Sequence, residues 1–196
     1  ADSDALAKPR VDGERYDHLD ALLAGVLQLD APVSDIAEPR EEMVFYQPTP
    51  ARHIFELIRC AGISRRDVLI DLGGGLGHVP LLVAICTGAR CIGIEWEAAY
   101  VDCARRCATS LNLSGVTFIQ QDAREADLST GTVFYLYTPF KGAMLREMLV
   151  ALRQEAAARE IRVCTLGPCT EIVAREPWLE KFNTSGSGAF AVFRSF

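Results

Sequence analysis

The sequence predicts an α/β fold: a three-layer sandwich with a doubly wound, mostly parallel sheet, preceded by a short amino-terminal helical arm. Three observations support this prediction. Short apolar runs alternate with helical stretches between residues 67 and 166, and that alternation implies right-handed crossovers between parallel strands. The two last apolar runs flank TSGSG, which predicts an antiparallel hairpin. Hydrophobic residues make up 49% of the chain, enough to form a core.

The amino-terminal part predicts two helices separated by an irregular stretch. Apolar residues at helical spacing over 19–29 predict the first helix, and four prolines interrupt residues 30–50. Pro50 suits the first turn of the second helix, with Thr49 as its expected N-cap. Gly62 is expected to end that helix.

Strands and helices are then predicted in alternation. The predicted strands cover residues 67–72, 90–95, 116–120, 132–137 and 161–166. The predicted helices cover residues 79–87, 97–111 and 141–157. The closing hairpin is expected over residues 178–183 and 189–196. We therefore expect an amino-terminal helical arm or lid over residues 1–48 and one domain over residues 49–196.

Charge is distributed unevenly along the chain, whose net charge is −6. Residues 1–50 hold 11 acidic and 4 basic residues, whereas residues 51–196 hold 15 acidic and 16 basic residues. Because the body is nearly neutral, nucleic acid is an unlikely partner by this criterion. The acidic residues of the amino-terminal arm either form a solvated face or lie at the edge of a binding site, where they attract a basic substrate or partner. No run of 18 apolar residues occurs, so no membrane association is expected.

Seven cysteines occur without a CxxC pair, and the sequence shows no signal-peptide pattern. This combination predicts reduced, mostly buried thiols in a cytoplasmic protein. Three scattered histidines without paired ligands predict no metal site of the zinc type. No feature of the sequence selects an oligomeric state.

The strongest signal for a ligand lies where the first predicted strand meets the next helix, in the segment DLGGGLG. Ligands of open parallel sheets bind beyond the carboxyl ends of the strands. Glycines there permit positive φ and leave no side chain between backbone and ligand. The spacing fits neither GxGxxG nor a phosphate-binding P-loop. It fits acidic-x-Gly-x-Gly-x-Gly, formed by Asp71, Gly73, Gly75 and Gly77.

Carboxylates also end the next two predicted strands. Glu95 can accept hydrogen bonds from both hydroxyls of a ribose. The adjacent Trp96 either covers one face of an adenine ring or packs in the core. Asp122 can accept from an adenine amino group, or it simply begins a loop. Together with the glycine segment, these residues predict an adenosine-binding edge.

The acidic-glycine motif, followed in order by Glu95 and Asp122, resembles the class I S-adenosylmethionine-dependent methyltransferases over most of the chain. The resemblance implies a seven-stranded sheet whose last strand is antiparallel, and S-adenosylmethionine as cofactor. It implies that Asp71 and the backbone of Gly73–Gly77 hold the amino-acid end of the cofactor. It also implies that Glu95 holds the ribose, and that Asp122 with Ala123 holds the adenine.

The fourth predicted strand ends in Tyr137, Thr138, Pro139 and Phe140. Family members that methylate exocyclic base nitrogens or a glutamine amide carry Asn/Asp-Pro-Pro-Tyr/Phe at this place, and this chain departs from that pattern. We expect Thr138 beside the cofactor, with Tyr137, Pro139 and Phe140 on the substrate side. An aromatic face there can stabilise the sulfonium cation and exclude water.

A narrower resemblance is to the non-SET histone-lysine methyltransferase type (disruptor of telomeric silencing). It is carried by FYQPTP before a helix, DLGGGLGHVPLLVAICTGARCIGIE, and VFYLYTPF before a long helix. In that type, a tyrosine-containing loop and a threonine near a helix start close over the methionine end of the cofactor. Tyr46 and Thr49 match them by position. Because the arm is acidic and no long basic extension is present, the resemblance extends to the pocket and not to the substrate.

The expected activity is in-line methyl transfer to an unidentified acceptor, either a small molecule or a protein side chain such as lysine or another amine. No residue stands out as a catalytic base; Tyr46, Tyr137 and His53 are the candidates. The alternative is a non-catalytic module with the cofactor-binding fold that acts as a partner subunit. A dinucleotide-dependent oxidoreductase is disfavoured by the glycine spacing. The arm over residues 1–48 is expected to act as a partial substrate lid.

Overall fold

A computed structural model describes residues 16–27, 29, 47–137, 140–184 and 190–196. Within these residues seven strands form one sheet. The strands are β1 (Val68–Leu72), β2 (Arg90–Glu95), β3 (Val116–Gln120), β4 (Val133–Tyr137), β5 (Arg162–Leu166), β6 (Leu179–Thr184) and β7 (Phe190–Ser195). Their spatial order is β3-β2-β1-β4-β5-β7-β6. β1 to β5 are parallel, and β7 lies antiparallel between β5 and β6.

Helices cover both faces of this sheet. They are α1 (His18–Leu27), α2 (Ala51–Ala61), α3 (His78–Thr87), α4 (Ala98–Ser110), α5 (Gly142–Ala158) and α6 (Cys169–Val173), with a 3-10 turn at Ala123–Glu125. Alternate residues of each strand point to opposite faces. One set packs against α5 and α6, and the other packs against α2 and α3. The predicted doubly wound, three-layer α/β architecture with an antiparallel last strand is therefore confirmed.

Most element boundaries agree with the sequence prediction to within two residues. β2 and β3 have the predicted limits. Gly62 ends α2 in the left-handed conformation, with its N–H donating to the carbonyl of Ile58. α6 and the 3-10 turn were not predicted, because helices of three to five residues leave little periodic pattern.

The prediction that Thr49 caps α2 is wrong. Pro50 occupies the N-cap position and makes no side-chain cap. The carboxylate of Asp20, on α1, instead accepts a hydrogen bond from the Ala51 N–H at 2.7 Å. The cap therefore comes from a residue 31 positions earlier in the chain, which a local reading of the sequence does not detect.

Two further findings bear on the chain's environment. Six of the seven cysteines are buried, and Cys86 is exposed. Across the residues described above, no helix combines the length and apolar character needed to cross a membrane.

Candidate functional site

The carboxyl ends of β1, β2 and β4 bring three polar side chains to one face of the sheet. Asp71 on β1 pairs in register with Gly93 on β2 and with Tyr135 on β4. Glu95 lies two residues beyond Gly93, so it points to the same face. The fold thus places Asp71, Glu95 and Tyr135 side by side, as expected for consecutive parallel strands.

The glycine turn is held against the end of β2 by main-chain hydrogen bonds. The N–H groups of Gly73 and Gly74 both donate to the carbonyl of Ile94 at 2.9 Å. The N–H of Gly75 donates to Oε2 of Glu95 at 2.8 Å. Gly73, Gly75 and Gly77 have φ of 85°, 53° and 85°, values that side-chain-bearing residues rarely adopt. The turn therefore requires the glycines that the motif supplies.

Close packing imposes a second requirement at the end of this turn. A Cβ on Gly77 would lie 2.5 Å from Cζ of Phe118. A Cβ on Gly74 would lie 3.4 Å from the Cα of Gly93 and 3.5 Å from Oδ2 of Asp71. The turn therefore lies against the strand ends with little space beneath it, and α3 begins immediately after Gly77.

Glu95 is oriented by backbone donors on both oxygens. Oε1 accepts from the N–H of Glu97 at 2.9 Å, while Oε2 accepts from the N–H of Gly75. Burial raises the pKa of this carboxyl, and the backbone hydrogen bonds oppose that effect. A carboxylate fixed in this way presents its remaining lone pairs in a defined direction, which suits paired hydroxyl donors.

Asp71 is the more deeply buried of the two carboxyls, with 4% of its surface exposed. Burial, and then the nearby charge of Glu95, raise its pKa from 3.8 to about 8. Two close carboxylates in a buried setting cannot both ionise easily. At neutral pH the pair therefore carries about one negative charge, with the proton on Asp71.

A hydroxyl pair lies next to Asp71. Oη of Tyr135 and Oγ1 of Thr49 are 3.1 Å apart, and both side chains are buried. Burial raises the pKa of Tyr135 well above its ordinary value, so its phenol is neutral. The sequence prediction included Thr49 but missed Tyr135, whose place in an apolar strand gave no sign of its register with Asp71.

The part of the site expected to hold the adenine of the cofactor is centred on Asp122. Its oxygens accept from Nε of Arg124 at 3.0 Å, Nη2 of Arg124 at 2.7 Å and the N–H of Arg124 at 3.1 Å. Nη1 of the same guanidinium donates to Glu147 on α5 at 3.2 Å. Ala123 is buried beside Asp122. The sequence prediction missed Arg124, which occupies both oxygens of the carboxylate assigned to adenine.

The remaining predicted residues are placed as follows. Trp96 follows Glu95 and is 41% exposed, so it is not part of the core. Tyr137 is half-buried at the end of β4, and Phe140 is buried in the apolar cluster beneath α5. Tyr46, Thr138 and Pro139 lie outside the described residues.

A mostly apolar cavity of about 210 Å³ lies among α1, α2 and α3, close to the glycine turn. The side chains of Tyr16, Asp20, Thr49 and His78 supply its polar groups. Burial lowers the pKa of His78 to about 4, with the charge of Asp20 opposing the effect. The imidazole is therefore neutral at physiological pH and is a weak base.

Comparison with known proteins identifies methyltransferases as structural relatives, although neither a family model nor a curated protein matches the sequence. The structure resembles an RNA methyltransferase from Salinibacter ruber solved with S-adenosyl-L-homocysteine. That resemblance has a TM-score of 0.63 and 27% identity, and covers 76% of this chain and 92% of the other. A precorrin-6y C5,15-methyltransferase from Geobacter metallireducens gives a TM-score of 0.57 at 16% identity, covering 79% and 92%.

The second of these resemblances concerns the fold alone, and the first extends over nearly the whole length of the relative. The sheet order, the glycine turn after β1 and the acidic residues after β1, β2 and β3 agree with that fold. The chain therefore has the class I, Rossmann-like fold seen in S-adenosylmethionine-dependent methyltransferases.

Proposed function

We propose that this protein binds S-adenosylmethionine across the glycine turn and transfers its methyl group to a nitrogen acceptor. The observation that carries the proposal is the hydrogen bond from the Gly75 N–H to Glu95, which joins the turn to a fixed carboxylate at the end of β2. At neutral pH the carboxyls of Glu95 and Asp71 together carry about one negative charge, which suits a cationic ligand.

The residues of this edge fit the cofactor in three parts. The backbone of Gly73–Gly77, with Asp71, would hold the amino-acid end, because the three glycines at 73 to 75 place no side chain between main chain and ligand. Glu95 would accept both ribose hydroxyls. Asp122 and Ala123 would hold the adenine, with the exposed ring of Trp96 over its face. When bound, the cofactor supplies an electrophilic methyl group on a positively charged sulfur.

The proposal also concerns the residues predicted to surround the methyl group of the cofactor. Tyr46, Thr49 and Thr138 would enclose the methionine end. Tyr137, Pro139 and Phe140 would line the acceptor side. Of these, Thr49 has a described side-chain contact that supports a role, since its hydroxyl lies beside Tyr135 next to Asp71.

Two described groups near Thr49, His78 and Tyr135, favour an acceptor that supplies its own lone pair. His78 is a weak base with a pKa of about 4, and Tyr135 is a buried neutral phenol. Neither would deprotonate an alcohol at neutral pH. An aliphatic amine is protonated at neutral pH and must first release that proton to solvent. The neutral nitrogen then needs only alignment with the methyl group, which a rigid strand edge provides. We therefore propose an amine nitrogen of a protein side chain or small molecule as acceptor.

A nitrogen of an RNA base is the second candidate. It is supported by the likeness to the Salinibacter ruber protein, which is an RNA methyltransferase. The nearly neutral charge of residues 51–196 does not favour it. In either case the chain would supply alignment and exclusion of water.

Cofactor binding is tested by calorimetry with S-adenosylhomocysteine on the wild type, Glu95→Gln and Glu97→Gln. Two charge-assisted hydrogen bonds to ribose predict that Glu95→Gln weakens binding about 10- to 100-fold. Glu97→Gln is the matched control, because its side chain caps α4 and lies one residue beyond Trp96. Wild-type protein that ignores the ligand at millimolar concentration, or a Glu95→Gln variant that binds normally, would refute the proposal.

The acceptor is tested with methyl-labelled S-adenosylmethionine and cell extracts separated into protein, RNA and small-molecule fractions. Label in the protein or small-molecule fraction supports an amine acceptor, and label that ribonuclease releases supports the RNA candidate. Tight cofactor binding without labelled product in any fraction would support the alternative of a non-catalytic partner subunit.

A further inference from the structure

Helix α1 and Tyr16, which lies two residues before it, hold the segment that enters α2 at two points. Oδ1 of Asp20 accepts from the N–H of Ala51 at 2.7 Å. Oη of Tyr16 donates to the carbonyl of Pro48 at 2.5 Å. These two hydrogen bonds flank Thr49, and no residue of α2 itself supplies the cap. The position of Thr49 therefore depends on α1.

α1 is itself anchored at both ends. Oδ2 of Asp20 accepts from the N–H of Asp17 at 2.7 Å, and Oδ1 of Asp17 accepts from the N–H of Leu19 at 2.8 Å. This reciprocal arrangement is a capping box at the start of α1. At the other end, Leu27 is buried against α3 and α4, and its carbonyl accepts from Sγ of Cys107 at 2.9 Å. The carboxylate of Asp20 thus joins the starts of two helices.

The anchored segment reaches the cofactor edge through one side chain. Oγ1 of Thr49 lies 3.1 Å from Oη of Tyr135, which pairs in register with Asp71. We propose that Asp20 and Tyr16 are positioning residues that fix Thr49 at the methionine end of the cofactor, so that α1 belongs to the cofactor site. This inference rests on the proposed function.

We call the contacts of Asp20 and Tyr16 with the segment before α2 the brace. A brace and a simple substrate lid predict different effects of mutation on cofactor affinity and on turnover. A lid that only covers the acceptor affects turnover more than cofactor affinity. A brace keeps the cofactor-competent arrangement populated, and apparent affinity falls in proportion to the fraction of molecules that hold that arrangement. Removing Asp20 should therefore weaken cofactor binding even though Asp20 itself need not contact the cofactor.

The test is a double-mutant cycle read by calorimetry with S-adenosylhomocysteine. Asp20→Ala and Thr49→Val should each weaken binding about tenfold, the order expected from losing one helix cap or one ordered contact. Because Asp20 acts through Thr49, the double variant should bind no more weakly than the weaker of the two single variants. Asp20→Asn keeps one oxygen, which can accept from the Ala51 N–H but not also from the Asp17 N–H, and should recover part of the affinity. Leu22→Ala, at a position of α1 that is 63% exposed, is the control and should bind normally.

The inference would be overturned if the affinity of the double variant fell by the product of the two single effects. Normal binding by Asp20→Ala would overturn it as well. If Asp20→Ala does not fold, Tyr16→Phe decides the question: about threefold weaker binding supports the brace, and unchanged binding overturns it. Glu95→Gln separates this inference from the proposed function. If Glu95→Gln loses affinity while both α1 variants bind normally, only the brace is wrong. If the wild type does not bind, the proposed function itself is wrong.

Discussion

Replacing Asp71 with Asn should change how stability depends on pH, because it removes a buried acid whose pKa is raised. In the folded protein the pKa of Asp71 is about 8, against 3.8 for an ordinary aspartate. Between these values the unfolded chain has lost the proton and the folded protein keeps it. Unfolding then releases a proton, so the free energy of unfolding of the wild type falls as pH rises. Asn does not ionise, and Asp71→Asn lacks this contribution.

The size of the effect follows from the same two values. Each pH unit inside the interval changes the free energy of unfolding by about 1.4 kcal/mol. From pH 5 to pH 8, the stability of Asp71→Asn relative to the wild type should therefore increase by about 3 to 4 kcal/mol. The constant loss or gain from the altered hydrogen bonds does not affect this slope.

The assay is urea unfolding at pH 5, 6, 7 and 8, followed by circular dichroism. The control is Asp127→Asn, since hydrogen bonds from Ser129 lower the pKa of Asp127. The stabilising contribution of Asp127 is lost only as pH falls through that lowered value. The free energy of unfolding of Asp127→Asn should therefore differ from that of the wild type by a constant amount between pH 5 and pH 8. If the free energy of unfolding of Asp71→Asn, relative to the wild type, were equally independent of pH, the reasoning about the buried carboxyl pair would be refuted.

Two further variants test the adenine end and the glycine turn. Arg124→Ala should strengthen S-adenosylhomocysteine binding about threefold, because the guanidinium occupies both oxygens of Asp122; weaker binding in calorimetry would contradict a competing role. Gly77→Ala should lower stability by about 2 to 4 kcal/mol, because φ is 85° and the new Cβ would lie 2.5 Å from Phe118. A thermal scan should show a Tm lower by about 10 °C. Gly115→Ala, whose Cβ would be 3.9 Å from its nearest neighbour, should be nearly neutral.

The alternation of strands and helices was predictable because it depends on local periodicity and on a general rule of connection. Buried parallel strands are continuous apolar runs, as in VLIDL and VFYLY. Right-handed crossovers then place the ends of β1, β2 and β3 at one edge. The meeting of Asp71 with Glu95 follows from this rule alone, without knowledge of any side-chain contact.

The contacts between distant segments were not predictable in the same way. Asp20 caps a helix that begins 31 residues later, and the sequence between them carries no periodic signal linking the two. Arg124 is only two residues from Asp122, but their pairing depends on the 3-10 turn, which leaves no periodic pattern in the sequence. Tyr135 lies beside Asp71 because β4 neighbours β1, and it meets Thr49 because α2 packs over this face of the sheet. Each of these contacts requires the three-dimensional arrangement as a starting point.

The position of β7 determines when this sheet can be completed during synthesis. Residues 190–195 hydrogen-bond to β5 on one side and to β6 on the other. A nascent chain that has not yet released them from the ribosome carries an open edge on β5, and open edges promote association with other chains. Completion of the sheet therefore requires residues 190–195 to have left the ribosome, and the edge of β5 stays exposed until they do.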